Sequence, residues 1–319
     1  MDAARAAEIV GRLGPAAQLD VPIGPLCTYR VGGDAAVYVE AESVADLELV
    51  VPVVNELELD TLVVGRGSNL LVADAGFDGV VVKLGDAFEE VAVDRETGTA
   101  RLAGGALLPV AARRISAAGL TGFEWAVGVP GSAGGAVRMN AGGHGSDMAA
   151  SVTRASVFDL AAGGPREWSA DELAFGYRRS SIGPADLVLY VELQLEPGVP
   201  VDSSAEISEI VRWRRANQPG GQNAGSVFTN PDGDSAGRMI DAAGLKGFRV
   251  GTAEVSTKHA NFIQADRGGS ADDVRALIVE IRRRIWEEHG VVLHVENLLI
   301  GFEPLPELVG ADPGDGVPR

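Results

Sequence analysis

The sequence predicts an α+β fold in two or three domains, on three observations. Strand and helix signals alternate through 28–84, the segment 152–197 is β-rich, and two prolines followed by polar residues at 197–204 mark a domain break. The length of 319 residues fits that domain count, and 46% hydrophobic with 23% charged residues is a globular composition. A chain of this size buries a sizeable core without disulfides.

The elements follow in order. MDAARAAEIVGRLG reads as a short amphipathic helix. It holds Asp2 and Glu8 and has no basic stretch ahead of an apolar run, so it does not read as a signal peptide. AAVYVEAES reads as a strand, and VADLELVVPVVNEL has the apolar spacing of a helix. DTLVVGRGSNLLVADAGFDGVVVKLGD gives a strand, a glycine loop, a second strand and a glycine-rich turn. Short strands are expected over 88–110, then a helix over about 108–118. Past the break, Ser204 is placed to cap a helix over 206–217. Ser270 with Asp273 has the spacing of a capping box, opening the helix DDVRALIVEIRRRIWEEHG. VVLHVENLLIGF reads as a closing strand, and GADPGDGVPR as a disordered tail.

Composition narrows the function. The formal charge of -18 argues against non-specific nucleic-acid binding, which needs a basic surface. A small anion is still bindable where positive groups cluster. Lys83, Lys246 and Lys258 are the only lysines, so arginine must supply most of that charge. Cys27 is the only cysteine, which excludes an internal disulfide and favours a reducing compartment. No stretch approaches the roughly 20 apolar residues of a membrane span. A soluble, cytoplasmic protein is expected. With no C-x-x-C or H-E-x-x-H and scattered histidines, no metal site is expected.

Five stretches carry possible chemistry. In VVGRGSNLLVA, Gly65 and Gly67 allow backbone N–H groups to turn toward an anion, with Ser68 and Asn69 as added donors. It is neither a dinucleotide fingerprint nor a Walker loop, and alone it reads better as a tight strand-to-strand turn. The run VGVPGSAGGAVRMNAGGHG is costly to order. Its valines and methionine are not linker composition, so it suggests backbone approaching a planar or phosphorylated group closely. FGYRRSSI sets Arg178 where it could clasp a carboxylate or phosphate, or where it is simply a solvated hairpin arginine. Ser226 in AGSVFTNP stands without a recognisable base among His144, His259, His289 and His294, and no nucleophile elbow surrounds it. It is nucleophile, phosphate ligand or turn residue. Glu296 within VVLHVENLLIGF is either a paired or protonated carboxyl, or an edge residue facing water.

Taken in order, TYRVGGDAAVYVE, VVGRGSNLLVADAGFDGVVV, GFEWAVGVPGSAGGAVRMNAGGHG, FGYRRSSI, AGSVFTNPDGDSAGRMIDAAGLKGFRVG, AEVSTKHANFI and VENLLIG resemble the UDP-N-acetylenolpyruvoylglucosamine reductase family over about residues 24–302. The resemblance implies an FAD-binding fold of the vanillyl-alcohol-oxidase type, made of two α/β subdomains, plus a C-terminal α+β substrate-binding domain. The boundaries it gives here are 1–199, split near 85, then 200–303, with a tail over 304–319. It implies non-covalent FAD, since no histidine lies in either flavin loop before 144, and NADPH as co-substrate. The flavin loops fall on Gly65, Arg66, Gly67, Ser68, Asn69 and Leu70, and on Val129, Pro130, Gly131, Ser132 and Ala133.

The family's catalytic residues map onto Arg178, Ser226 and Glu296. The implied reaction is reduction of an enolpyruvyl nucleotide sugar to UDP-N-acetylmuramate, a peptidoglycan precursor. Hydride reaches the vinyl carbon by way of the flavin. Arg178 and a protonated Glu296 stabilise the charge that develops, and Ser226 gives the proton. Tyr177 and Asn230 match substrate-contacting positions, and Arg214 resembles the basic residue that meets the UDP phosphates. Lys246 and Lys258 are further candidates. Thr229, His144 and the 218–225 loop depart from the common pattern, and the chain resembles the branch without an extra tyrosine loop. Two other functions compete with this one. One is a flavin oxidoreductase of the same fold acting on a sugar, and the other a non-catalytic nucleotide-sugar binder. Oligomeric state is not legible in the sequence.

Overall fold

The computed structural model describes residues 1–308. The chain forms two compact units, each built from separated segments. The first comprises Met1–Val21, Ala36–Arg66 and Asp78–Arg214, and the second Pro22–Ala35, Gly67–Phe77 and the chain from Arg215 on. This division differs from the expected boundary at 200. The proline stretch is not a linker: Pro200 opens an α-helix, Pro200–Asn217, six residues before the predicted start. Proline suits a first helical position because its missing N–H has no helical partner there. Ser204 is therefore inside the helix and not its cap. Its neighbour Ser203 is buried and donates to Glu124, which also accepts from Thr121 Oγ1 and Gly122 N, both at 2.8 Å. Burial pushes the Glu124 carboxyl up, and these hydrogen bonds more than offset it.

Two sheets organise the first unit. One runs in the order Ala17–Pro22, Asp34–Ala41, Phe77–Leu84, Thr61–Val63, the last two parallel. The helices Ala3–Leu13 and Val44–Glu56 contribute Ile9, Leu13, Leu47, Val50 and Val53 to a core with Val37, Val39, Val80 and Val82. Ser43 caps the second of these helices by a reciprocal exchange with Asp46. The other sheet is antiparallel, in the order Pro165–Ser169, Val152–Asp159, Asp186–Gln194, Thr99–Ala103, Val91–Asp94. Its core gathers Leu102, Leu108, Ile115, Phe123, Val191 and Ile207.

The second unit holds a small antiparallel sheet, Arg249–Val250, Ala253–Val255 and Ile263–Ala265, against the helix Ala271–His289. Ser270 caps that helix, its side chain accepting from Asp273 N at 3.1 Å. The return bond of a capping box is absent. The Asp273 carboxylate instead takes the N–H and hydroxyl of Thr252, both at 2.7 Å. Asp74 accepts from Ala271 N at 2.9 Å and ties the chain after the Leu70–Val72 strand to the same helix.

Leu70–Val72 pairs in parallel with Leu298–Ile300. The predicted closing strand is thus confined to Leu298–Ile300. Val295 makes one isolated bridge, to Phe228, and the chain bends at Asn297 between them. Of the expected tail, 309–319 lies outside the described residues. The earlier part is held: Arg275 donates to the carbonyls of Glu303 and Pro304, and Leu305 packs on the core. Cys27 is buried, which pushes its thiol up to about 12. Among the described residues no helix is long and apolar enough to cross a membrane.

Candidate active site

The first unit brings the start of one predicted flavin segment, Gly65 and Arg66, close to the other, Val129–Ala133. A Cβ added at Gly65 would sit 2.5 Å from Ser132 Oγ, so any side chain there would force the Ser132 hydroxyl to move. The Val129–Ala133 segment is fixed from beneath by Leu108 N to Gly131 O at 3.1 Å and Ala133 N to Ala106 O at 2.9 Å. Gly65, Arg66 and Pro130 are exposed. Gly65→Ala is expected to lower the flavin content of the purified protein at least severalfold. The visible-to-280 nm absorbance ratio measures this, and an unchanged ratio would mean the contact yields.

Gly67 to Leu70 belong to the second unit. Gly67 has φ +57°, and an added Cβ would lie 2.5 Å from Leu26 O and 2.6 Å from Cys27 Cα. Its carbonyl accepts from Thr28 N at 3.1 Å. Asn69 turns much of its amide inward: Nδ2 donates to Glu296 O at 3.0 Å, and Oδ1 accepts from Asn297 Nδ2 at 2.8 Å. The sequence suggests Asn69 as a ligand donor; the structure gives it a bridging task as well.

Ser226 and Glu296 are brought together as neighbouring segments of this unit. Glu296 N donates to Val227 O at 2.8 Å, and Thr229 N to His294 O at 3.0 Å. Buried Asn297 donates to the carbonyls of Ala224 at 3.3 Å and Ser226 at 3.4 Å, and accepts from the Tyr29 hydroxyl at 3.4 Å. Buried Asn261 clamps the other side, exchanging bonds with Phe228 N at 3.0 Å and Phe228 O at 2.8 Å. Both asparagines escape a reading of the sequence. The one trace of them is an amide set in otherwise apolar runs, HANFI and VENLL. Ser226 and Glu296 are half-buried.

Arg178 lies in the first unit, at the second central position of a two-residue hairpin. Gly176 N donates to Arg179 O at 3.0 Å, and Arg179 N to Gly176 O at 3.2 Å. The position needs a positive φ, which arginine adopts here at +56°. An L-residue there costs about 1–2 kcal/mol relative to glycine. The guanidinium carbon lies 5.4 Å from the centre of the half-exposed Tyr177 ring. Arg178 is half-buried between exposed Tyr177 and Arg179, so it is not a plain solvated hairpin arginine.

The substrate candidates are partly engaged within the chain. Asn230 Oδ1 accepts from Ala236 N at 3.2 Å, closing the turn before the helix Ala236–Ala242. Lys246 pairs with Asp241 at 2.6 Å, and Lys258 donates to Arg215 O. Arg214 is half-buried, and burial lowers its affinity for a proton. His144 packs edge-on against Trp213, with ring centres 5.1 Å apart. The imidazole of His259 is pushed down by burial and by the charge of Lys246, and its Nδ1 accepts from Asn261 N at 3.2 Å. Among the described residues no three His, Cys, Asp or Glu side chains group as metal ligands do.

The family model for an FAD binding domain matches residues 35–167, and that for the UDP-N-acetylenolpyruvoylglucosamine reductase C-terminal domain matches 217–300. The UDP-N-acetylenolpyruvoylglucosamine reductase of Synechococcus sp. (strain RCC307) is 41% identical over 88% of this chain and 93% of its own. The chain belongs to the UDP-N-acetylenolpyruvoylglucosamine reductase family. The reductase of Rubrobacter xylanophilus is 39% identical over 91% of this chain and 97% of its own. The crystal structure of the Thermus caldophilus reductase superposes with a TM-score of 0.75 at 36% identity, covering 88% of this chain and 97% of that one. The α+β fold with a flavin-binding part and a family-specific C-terminal domain is the family's own.

Proposed function

We propose that the chain is an FAD-dependent oxidoreductase that reduces the enolpyruvyl group of UDP-N-acetylglucosamine enolpyruvate with NADPH, yielding UDP-N-acetylmuramate for peptidoglycan synthesis in the cytoplasm. The observation that carries this is likeness to reductases of that name over nearly the full length of both chains. The exposed backbone at Gly65, lying against the Val129–Ala133 segment, suits a flavin pyrophosphate. Gly65 to Leu70 and Val129 to Ala133 would hold the cofactor.

When bound, FAD supplies the chemistry of hydride transfer between NADPH and the vinyl carbon. The residues of the chain handle charge and protons. As the vinyl carbon gains hydride, negative charge spreads from its neighbour into the carboxylate. Arg178 answers that charge with a fixed cation, and Glu296, protonated, adds a hydrogen bond. The carbanionic carbon is a strong base, so the weakly acidic Ser226 hydroxyl suffices to protonate it. This explains a serine without a general base: it gives a proton and attacks nothing. Arg214, Tyr177, Asn230, Lys246 and Lys258 are proposed for the nucleotide sugar. Asn230, Lys246 and Lys258 would exchange present partners for it.

Anaerobic titration tests the whole reading. NADPH is expected to bleach the flavin, and the enolpyruvyl nucleotide sugar to restore its colour. Flavin that bleaches but stays bleached on adding this substrate would sink the substrate assignment.

A further inference from the structure

Asn140 is buried, 4% exposed, and lies just past the helix Ala133–Arg138 in the run MNAGG. It sits at φ +39°, a conformation asparagine tolerates better than most residues. Every polar atom of its side chain is used. Oδ1 accepts from Ala149 N at 3.0 Å, and Nδ2 donates to Asp147 Oδ2 at 3.1 Å and Gly176 O at 3.0 Å. Gly176 O is also the carbonyl that closes the hairpin around Tyr177 and Arg178. The far side of that hairpin is tied to the same segment, since Ser180 Oγ donates to Arg138 O at 2.9 Å.

These bonds meet a specific need. A two-residue turn with a positive-φ arginine at its second position is not the conformation its sequence would choose. Something outside the turn must hold it, and the contacts come from residues 138–140, directly after the Val129–Ala133 flavin segment and its helix. We propose that Asn140 is a positioning residue for Arg178: its amide holds the Gly176 carbonyl, and so sets where the guanidinium stands. The proposal rests on the role given to Arg178 above. It also links the two, because the flavin segment and the arginine turn share one short support.

The test separates donor from acceptor. Asn140→Asp keeps the oxygen that accepts from Ala149 N and removes both donated bonds. The double variant Asn140→Asp with Asp147→Asn reverses the 140–147 bond, removes the clash of two carboxylates, and still takes from Gly176 O the bond that Asn140 donates, leaving only that from Arg179 N. With flavin content and melting temperature measured alongside, the double variant is expected to recover both. It is still expected to reoxidise reduced flavin with the enolpyruvyl substrate roughly 10- to 100-fold slowly, as a small misplacement of a reacting group does. Reduction by NADPH should stay near wild type, which a general loss of structure would not allow. Wild-type reoxidation in the double variant would overturn the proposal. Arg178→Ala is measured in parallel: if it reoxidises normally, the Arg178 assignment falls and the proposal with it. If it is slow while the double variant is normal, the proposal alone falls. Should both variants carrying Asn140→Asp fail to fold, Asp147→Asn alone retains the bond to Gly176 and is expected to reoxidise at the wild-type rate; slow reoxidation in a flavin-replete Asp147→Asn protein would overturn it.

Discussion

Ser226→Ala is expected to slow reoxidation of the reduced flavin by the enolpyruvyl substrate by about 10²- to 10⁴-fold, the range for losing a positioned proton donor. Reduction by NADPH should stay near normal, since no carbon needs a proton in that step. The substitution is clean because the local backbone does not depend on the hydroxyl. Val227 N donates to Asn261 O at 2.9 Å, Val227 O accepts from Glu296 N, and the Ser226 carbonyl accepts from Asn297. All of these survive the change. Stopped-flow measurement of the two half-reactions separately decides the matter. Equal slowing of both would assign Ser226 to binding or support.

What is legible in the sequence is local. Asp34–Ala41 carries a run of apolar, β-favouring residues between Asp34 and Glu40 and folds as a strand with most of that run buried. The apolar spacing of Val44–Glu56 and the Ser43–Asp46 pair lie within one stretch, so the helix and its cap can be read from it. Local signals mislead wherever a distant partner takes over. Asp273 has the spacing for a capping box, but Thr252, 21 residues earlier, supplies better donors. VVLHVENLLIGF looks continuous, yet its first half lies beside Thr229 and Val227 while its last residues pair with Leu70–Val72. The bend at Asn297 lies between these two partners, and neither is visible from the segment itself. The helix start at Pro200 is hidden because a serine cap four residues on offers a competing start.

The site follows the same pattern. Glycine-rich loops announce themselves, because a residue with no side chain is unusual enough to need a reason. Order and spacing of the seven stretches carry the family, and with it the reaction. The amides that hold the site give no such signal. Asn140, Asn261 and Asn297 each bond to backbone carbonyls or N–H groups of another stretch, and those partners exist only once the chain is folded.

Arg178 allows a test in which function and stability move apart. Arg178→Ala and Arg178→Gly both remove the guanidinium, and both are expected to slow reoxidation by the enolpyruvyl substrate by about 10²- to 10³-fold, the usual cost of one charge-stabilising donor. They differ in the backbone. Alanine inherits the φ of +56°, which disfavours any L-side chain. Glycine does not, and offsets part of that gain by its greater freedom when unfolded. The glycine variant should therefore be the more stable of the two by about 1 kcal/mol in denaturant unfolding. Equal stability would mean the turn relaxes when the arginine is lost, and that the strain belongs to the side chain's own contacts. A glycine variant that keeps wild-type reoxidation would remove Arg178 from the chemistry altogether. If both expectations hold, an arginine stands where glycine folds better, and the reaction is the reason it stays.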